Sequence, residues 1–189
     1  MLKGAVFMAK IFINPGHDQL DLKGTPDYDP GAVNEYLELY ENEIAFSIGE
    51  LVKKYLIDAG CEVELLQNES LSYICAMANR SGADLFVSIH CNAFNETAHG
   101  TETLVYPDDE PGHRLAECIH KQILDTFDLT DRGVKDRDNL AVLNGTEMPA
   151  VLVETAFIDN TSDALLLRDE QDDFAKAIAR GVTDYLQEA

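Results

Sequence analysis

Apolar residues recur along this chain at two spacings. Short β-branched and aromatic runs bounded by turn formers read as strands, and stretches with an apolar residue every three or four positions read as helices. The first run, Ile11-Phe12-Ile13, is stopped by Pro15-Gly16. Further strands are predicted over Glu62–Leu66, the run from Asp84 to His90, Thr101–Tyr106, Leu140–Leu143 and Ala150–Glu154. Helices are predicted over Tyr36–Ala59, Leu71–Ser81, Gly112–Phe127, Thr161–Leu167 and Glu170–Leu186. Gly60 and Gly82 stand just past the ends of the first two, as stop signals. Three polar stretches, Asp18–Gly31, Asn92–Gly100 and Asp128–Asn139, are expected to be loops. Strands alternating with helices imply an α/β fold with a mainly parallel sheet covered on both faces.

Length and composition narrow this to one domain: 189 residues with 46% apolar content are ample for a single sizeable core. Met8 opens the first strand and could itself be a start, so the domain is expected over residues 8–189, with residues 1–7 a short leader. That leader lacks the apolar stretch and cleavage site of a signal peptide, and no run approaches the length of a membrane span. With 35 Asp and Glu against 14 Lys and Arg, the formal net charge is -21. Such a field opposes nucleic acid and anionic membranes, whose binding rests on neutralising phosphate. The cysteines, Cys61, Cys75, Cys91 and Cys118, form no CxxC pair and read as small buried apolar residues. Cys91 follows His90, but on a continuing strand its side chain faces the other way.

Candidate chemistry sits at strand ends. Three apolar runs lead into His17, His90 and Glu154, and loops leaving the carboxyl ends of strands border the crevice in which open α/β sheets keep their sites. On the Tyr36–Ala59 helix, residues placed at 100° intervals put Glu41 near the centre of the Ile44, Ile48, Val52, Leu56 stripe, whereas Glu43 projects well away from it. Two histidines and a glutamate make a three-ligand site with one position open, the arrangement of catalytic zinc. The ligands expected are His17, Glu41 and His90, with Glu154 as the separate carboxylate that moves the proton. Each has a plainer reading when taken singly. A strand-end histidine is more often a hydrogen-bonding residue, Glu154 could pair with Arg168 or Arg180, and Glu41 could be a solvated member of the run Glu38, Glu41, Glu43. Their coincidence on one inferred sheet edge favours the metal. His99, His113 and His120 have no carboxylate at ligand spacing and are read as structural or exposed.

The motifs Asn14-Pro15-Gly16-His17, Glu41 on its helix, Ala83 through Ala93, Asp131-Arg132-Gly133-Val134-Lys135, and Met148 through Glu154 with Phe157-Ile158-Asp159-Asn160, in that order, resemble the zinc-dependent N-acetylmuramoyl-L-alanine amidases of the type-3 family. The likeness runs from about Lys10 to Leu186. It implies a three-layer fold with a mixed, mostly parallel sheet of about six strands. It also implies a peptidoglycan hydrolase that cuts the amide between the lactyl group of N-acetylmuramic acid and the first L-alanine of the stem peptide. Carried over, the family's zinc ligands fall on His17, Glu41 and His90, and its catalytic glutamate on Glu154. The implied cofactor is Zn2+ and the implied partner is peptidoglycan, as muramyl peptide. A monomer is expected, acting at the bacterial cell wall as a secreted enzyme or a phage-type lysin. The chain departs from the family pattern at Ala45, where asparagine is usual, at Cys91, where alanine is common, and in the Asp- and Pro-rich loop Asp18–Glu35, but no ligand is lost. Two rivals stay open at this point: a carboxypeptidase-type zinc hydrolase, which would need an arginine to grip a terminal carboxylate, and a non-catalytic wall-binding module.

Overall fold

A computed structural model describes residues 9–18, 23–25 and 28–188. The leader expected over residues 1–7 lies outside the described residues. The chain runs β1 (Lys10–Pro15), β2 (Val33–Asn34), β3 (Leu39–Tyr40), α1 (Glu41–Asp58), β4 (Glu62–Leu65), α2 (Leu71–Ser81), β5 (Leu85–Asn92) and β6 (Thr101–Val105). It continues through α3 (Glu110–Thr126), β7 (Asp131–Asp136), α4 (Ala141–Asn144), β8 (Ala150–Phe157), α5 (Thr161–Asp169) and α6 (Gln171–Glu188). Six strands form one sheet in the order β4-β1-β5-β8-β6-β7, while β2 and β3 pair separately. All neighbours in the large sheet are parallel except β6 and β8, which run antiparallel.

Alternation along each central strand divides the core. Ile11, Ile13, Val87, Ile89, Val151 and Val153 face α1, α3 and α6. Phe12, Phe86, Leu104, Ala150 and Leu152 face the thinner cover of α2 and α4. The strands are apolar on both faces because both faces are covered. The helix stripes read from sequence turn inward: Ile44, Ile48, Val52 and Leu56 on α1, and Leu115, Ile119 and Ile123 on α3, are buried. Ser70 caps the start of α2 by accepting the Tyr73 N–H, and Gly82 ends it in the left-handed conformation at φ 70°.

Three expectations need correction. The apolar run at residues 140–143 is not a strand but leads into the single-turn helix α4; periodicity cannot separate the two in so short a run. The stretch from Asp128 to Asn139, read as a loop, holds β7. This strand lies on the sheet edge and stays half solvated, so its polar sequence carries no burial signal. The first long helix starts at Glu41 rather than Tyr36, because the chain from Val33 to Tyr40 doubles back as β2 and β3 through a turn in which Glu38 has φ 54°.

Strand β1 connects through α1 to β4 on one side, whereas β5 lies on its other side. The connections therefore diverge at the β1/β5 boundary, where a crevice opens at the carboxyl ends of the strands.

Candidate metal and catalytic site

His17 and His90 flank that crevice from two directions: His17 follows β1 in a turn with φ 63°, and His90 lies near the end of β5. The crossover to β4 brings the N-terminus of α1 back over the same strand ends, with Glu41 as the first helical residue. The start of a helix favours a carboxylate through its unpaired N–H groups and dipole. Here the loop before α1 satisfies two of those donors, the Glu41 N–H on the Ala32 carbonyl and the Asn42 N–H on that of Pro30. The Glu41 side chain is left to turn toward the strands.

Glu41 is 4% exposed and stands between the two imidazoles. Its Oε2 is 3.0 Å from His17 Nε2 and its Oε1 is 2.9 Å from His90 Nδ1. Oε1 also accepts the Cys91 N–H at 3.0 Å and Oε2 the Ala32 N–H at 2.8 Å. One donor atom from each of His17, Glu41 and His90 lies within 4.8 Å of the others. Two glycines keep this space clear. A Cβ on Gly16 would lie 2.2 Å from His90 Cε1, and one on Gly31 would lie 2.5 Å from Glu41 Oε2. Burial raises the Glu41 carboxyl, but the hydrogen bonds and charge of the histidines outweigh it and hold the group far below the usual carboxylate range. Burial likewise draws the His17 imidazolium down, yet Glu41, and then Asp29, raise it to about 9. Asp29 meets the far ring nitrogen, Nδ1, at 3.0 Å.

Glu154 lies in β8 in register with His90 on β5, so the two side chains share a face of the sheet. Its Oε2 is sequestered from solvent and has no hydrogen-bond partner among the described residues. Burial, with the nearby charges of Glu41 and Glu102 adding to it, pushes the carboxyl up to about 7 against the pull of the histidines. Neither arginine weighed as its partner reaches it: Arg168 pairs with Asp169 and Arg180 with Asp184. A buried, unpaired carboxylate oxygen with a pKa near neutrality is suited to moving protons.

Other expectations resolve plainly. Glu43 points out to an ion pair with Lys23. Cys91 packs in the core on the side of the sheet away from His90, and all four cysteines are free. His113 and His120 do find carboxylates, Asp136 at 3.1 Å and Asp131 at 2.8 Å, both supplied by β7, which sequence spacing could not show. Of the loops that follow β1 and β5, the first supplies Asp29 to a cleft of about 270 Å³ beside His17 and His90, walled by Leu71, Ile74, Leu140 and Leu152. The second places Glu96 in a separate hollow against residues 33–37. Asp29, Gly31 and Glu102 carry no local sequence signal that would have marked them.

Comparison with known proteins gives matches in both sequence and fold. The profile of the N-acetylmuramoyl-L-alanine amidase family matches residues 11–184. A sporulation-specific N-acetylmuramoyl-L-alanine amidase of Bacillus subtilis (strain 168) is 35% identical over 96% of this chain and 68% of that protein. An endolysin of Bacillus phage SPP1 is 35% identical over 77% of this chain and 58% of its own length. The crystal structure of an N-acetylmuramoyl-L-alanine amidase from Clostridium difficile 630 superimposes with a TM-score of 0.85 at 29% identity, covering 95% of this chain and 97% of that one. A match of this extent in sequence and in fold leaves one conclusion: the chain belongs to the N-acetylmuramoyl-L-alanine amidase family and is a peptidoglycan amide hydrolase.

Proposed function

We propose that this domain, residues 8–189, hydrolyses the amide between N-acetylmuramic acid and the L-alanine of the stem peptide with a zinc ion held by His17, Glu41 and His90, and with Glu154 as the group that moves the proton. The observation carrying the reading is the convergence of two imidazole nitrogens and one buried carboxylate in a space that any Cβ at Gly16 or Gly31 would fill. Two nitrogens and one oxygen are a donor set that suits zinc, and three protein ligands leave a position for a reacting group. When bound, the ion would act as a Lewis acid toward the scissile carbonyl and make water a better nucleophile.

The side chains divide the remaining work. Asp29 would fix the His17 ring by taking its Nδ1–H, which leaves Nε2 free as the ligating nitrogen. Glu154, a carboxyl with a buried oxygen on the same face of the sheet as His90, would accept a proton from the attacking water and deliver it to the departing amine of L-alanine. The apolar cleft beside His17 suits the less polar part of a muramyl substrate. A peptidoglycan substrate places this action at the bacterial cell wall, and the domain is proposed to act there as a monomer; no helix among the described residues is long and apolar enough to cross a membrane.

The test is digestion of purified muropeptides with mass-spectrometric detection. Release of the intact stem peptide, its loss on chelation, and its loss by at least about 100-fold in Glu154→Gln with metal content unchanged are the expected results. Release of a single terminal residue would instead indicate a carboxypeptidase, and full turnover by Glu154→Gln would remove the role given to that residue.

A further inference from the structure

The reaction leaves a cluster two strands beyond His90 unexplained. Glu102 on β6 stands directly across from Glu154 on β8 and therefore shares its face of the sheet. Its buried carboxylate accepts the Asn92 side-chain amide on Oε1 at 3.1 Å. Its Oε2 takes both Arg132 Nε at 2.8 Å and Lys135 Nζ at 2.5 Å. Two cations thus share one carboxylate oxygen, in a chain whose formal net charge is -21. The cations are not used up by this contact. Their side chains are 32% and 31% exposed, and among the described residues neither Nη of Arg132 has a hydrogen-bond partner.

The backbone is bent to make the cluster. Residues 132 and 135, an odd number apart, would face opposite sides of a regular strand. Thr101 aligns with Asp131 and Thr103 with Val134, so three steps on β7 answer two on β6. Gly133, at φ 81°, sits within this bulge. Among the described residues no neighbour lies within 4 Å of where its Cβ would be, so the backbone angle rather than crowding asks for glycine. Bulges of this kind re-aim side chains beside active sites. Here the bulge delivers both cations to the face that carries Glu154 and His90. The Arg132 guanidinium also lies over the Phe157 ring, 4.8 Å from its centroid, which steadies it.

We propose that Arg132 and Lys135 form a carboxylate subsite that grips the acidic residue following L-alanine in the stem peptide. The proposal rests on the amidase reading above and adds the direction in which the peptide lies. Neighbouring strands are about 4.8 Å apart, so β7 is about 10 Å from β8, and an extended peptide advances about 3.5 Å per residue. A carboxylate one or two residues past the scissile bond therefore comes within reach of the long Arg and Lys side chains. The opposite side of the site repels such a group, because its cleft is apolar and carries Asp29 and Glu69. The free Nη edges of Arg132 offer a planar fork for a carboxylate that a carboxamide cannot match.

Two substrates identical except at that position, one with a free carboxylate and one with a carboxamide, test this. The wild-type enzyme should prefer the carboxylate by roughly 10-fold or more in kcat/KM. Arg132→Gln should erase the preference, raising KM for the carboxylate substrate by a similar factor while changing the carboxamide substrate less than about 2-fold. Arg132→Lys should recover part of it, and Lys135→Gln should lower it with β7 intact. Calorimetric binding of the released peptides, acid and amide, to Glu154→Gln protein reads the same discrimination without turnover, so a failure of the amidase reading stays distinguishable from a failure of this one. Equal losses on both substrates, effects confined to kcat, or wild-type protein that favours neither peptide in binding would overturn the subsite.

Discussion

Glu154→Gln should make the metal-free protein more stable at pH 8 while removing its catalysis. The wild-type carboxyl has its pKa raised from 4.5 to about 7, chiefly by burial. Between those values the folded protein keeps a proton that the unfolded chain has released, so stability falls as pH rises across the window and levels off above it. The full shift amounts to about 3 kcal/mol at about 1.4 kcal/mol per pKa unit, and only about 1 kcal/mol of it is in force at pH 5. Glutamine has nearly the same shape and no charge to bury, so the variant escapes the cost. Urea unfolding of chelator-treated wild-type and variant proteins at pH 5 and pH 8 measures it. The variant should be about 3 kcal/mol more stable at pH 8 and about 1 kcal/mol more stable at pH 5, with a Tm raised by roughly 6 to 12 °C at the higher pH. A variant no more stable than wild type at pH 8, or equally stabilised at both pH values, would falsify the claim that an ionised carboxylate is held here at the expense of the fold. Metal-loaded protein should show a smaller gain, since a nearby cation lowers the carboxyl pKa.

Three further outcomes are expected. Asp29→Asn should weaken metal binding by about 10- to 100-fold in competition with a chromophoric chelator, because it removes the carboxylate that holds His17 Nδ1. Unchanged affinity would mean that Asp29 is only a loop residue. Gly16→Ala should lower zinc stoichiometry in the purified protein more than it lowers helical content by circular dichroism, since its methyl would meet the His90 ring. Full stoichiometry would show that the ring has room to move aside. Zinc in 100-fold excess over its Kd should add about 3 kcal/mol of stability, seen as a Tm rise that a chelator reverses; a Tm indifferent to the ion would argue against the three-residue site.

The apolar runs and stripes made most of the fold legible, because strands covered on both sides must be apolar and helices on a sheet must carry a 3.6-residue stripe. Glu41 was legible for the same reason, as a carboxylate on a line otherwise occupied by Ile44, Ile48 and Val52. Strand β7 was not. At the sheet edge Asp131-Arg132-Gly133-Val134-Lys135-Asp136 buries little, and its partners are backbone groups on β6 that no side-chain pattern reports. The four-residue α4 was misread because one turn of helix and a short strand need the same few apolar residues.

Local chemistry marked which residues have the means to ligate or transfer a proton, since imidazole and carboxylate bring those properties wherever they stand. Only the tertiary structure decided their company. Crossovers between parallel strands bring residues 17, 41, 90 and 154 to one sheet edge, and strand pairing sets Glu154 between His90 and Glu102. Burial and these neighbours, rather than residue type, lift Glu154 to about 7. Proximity of this sort depends on sheet order and register, which link positions dozens of residues apart and leave no trace in a local window of sequence.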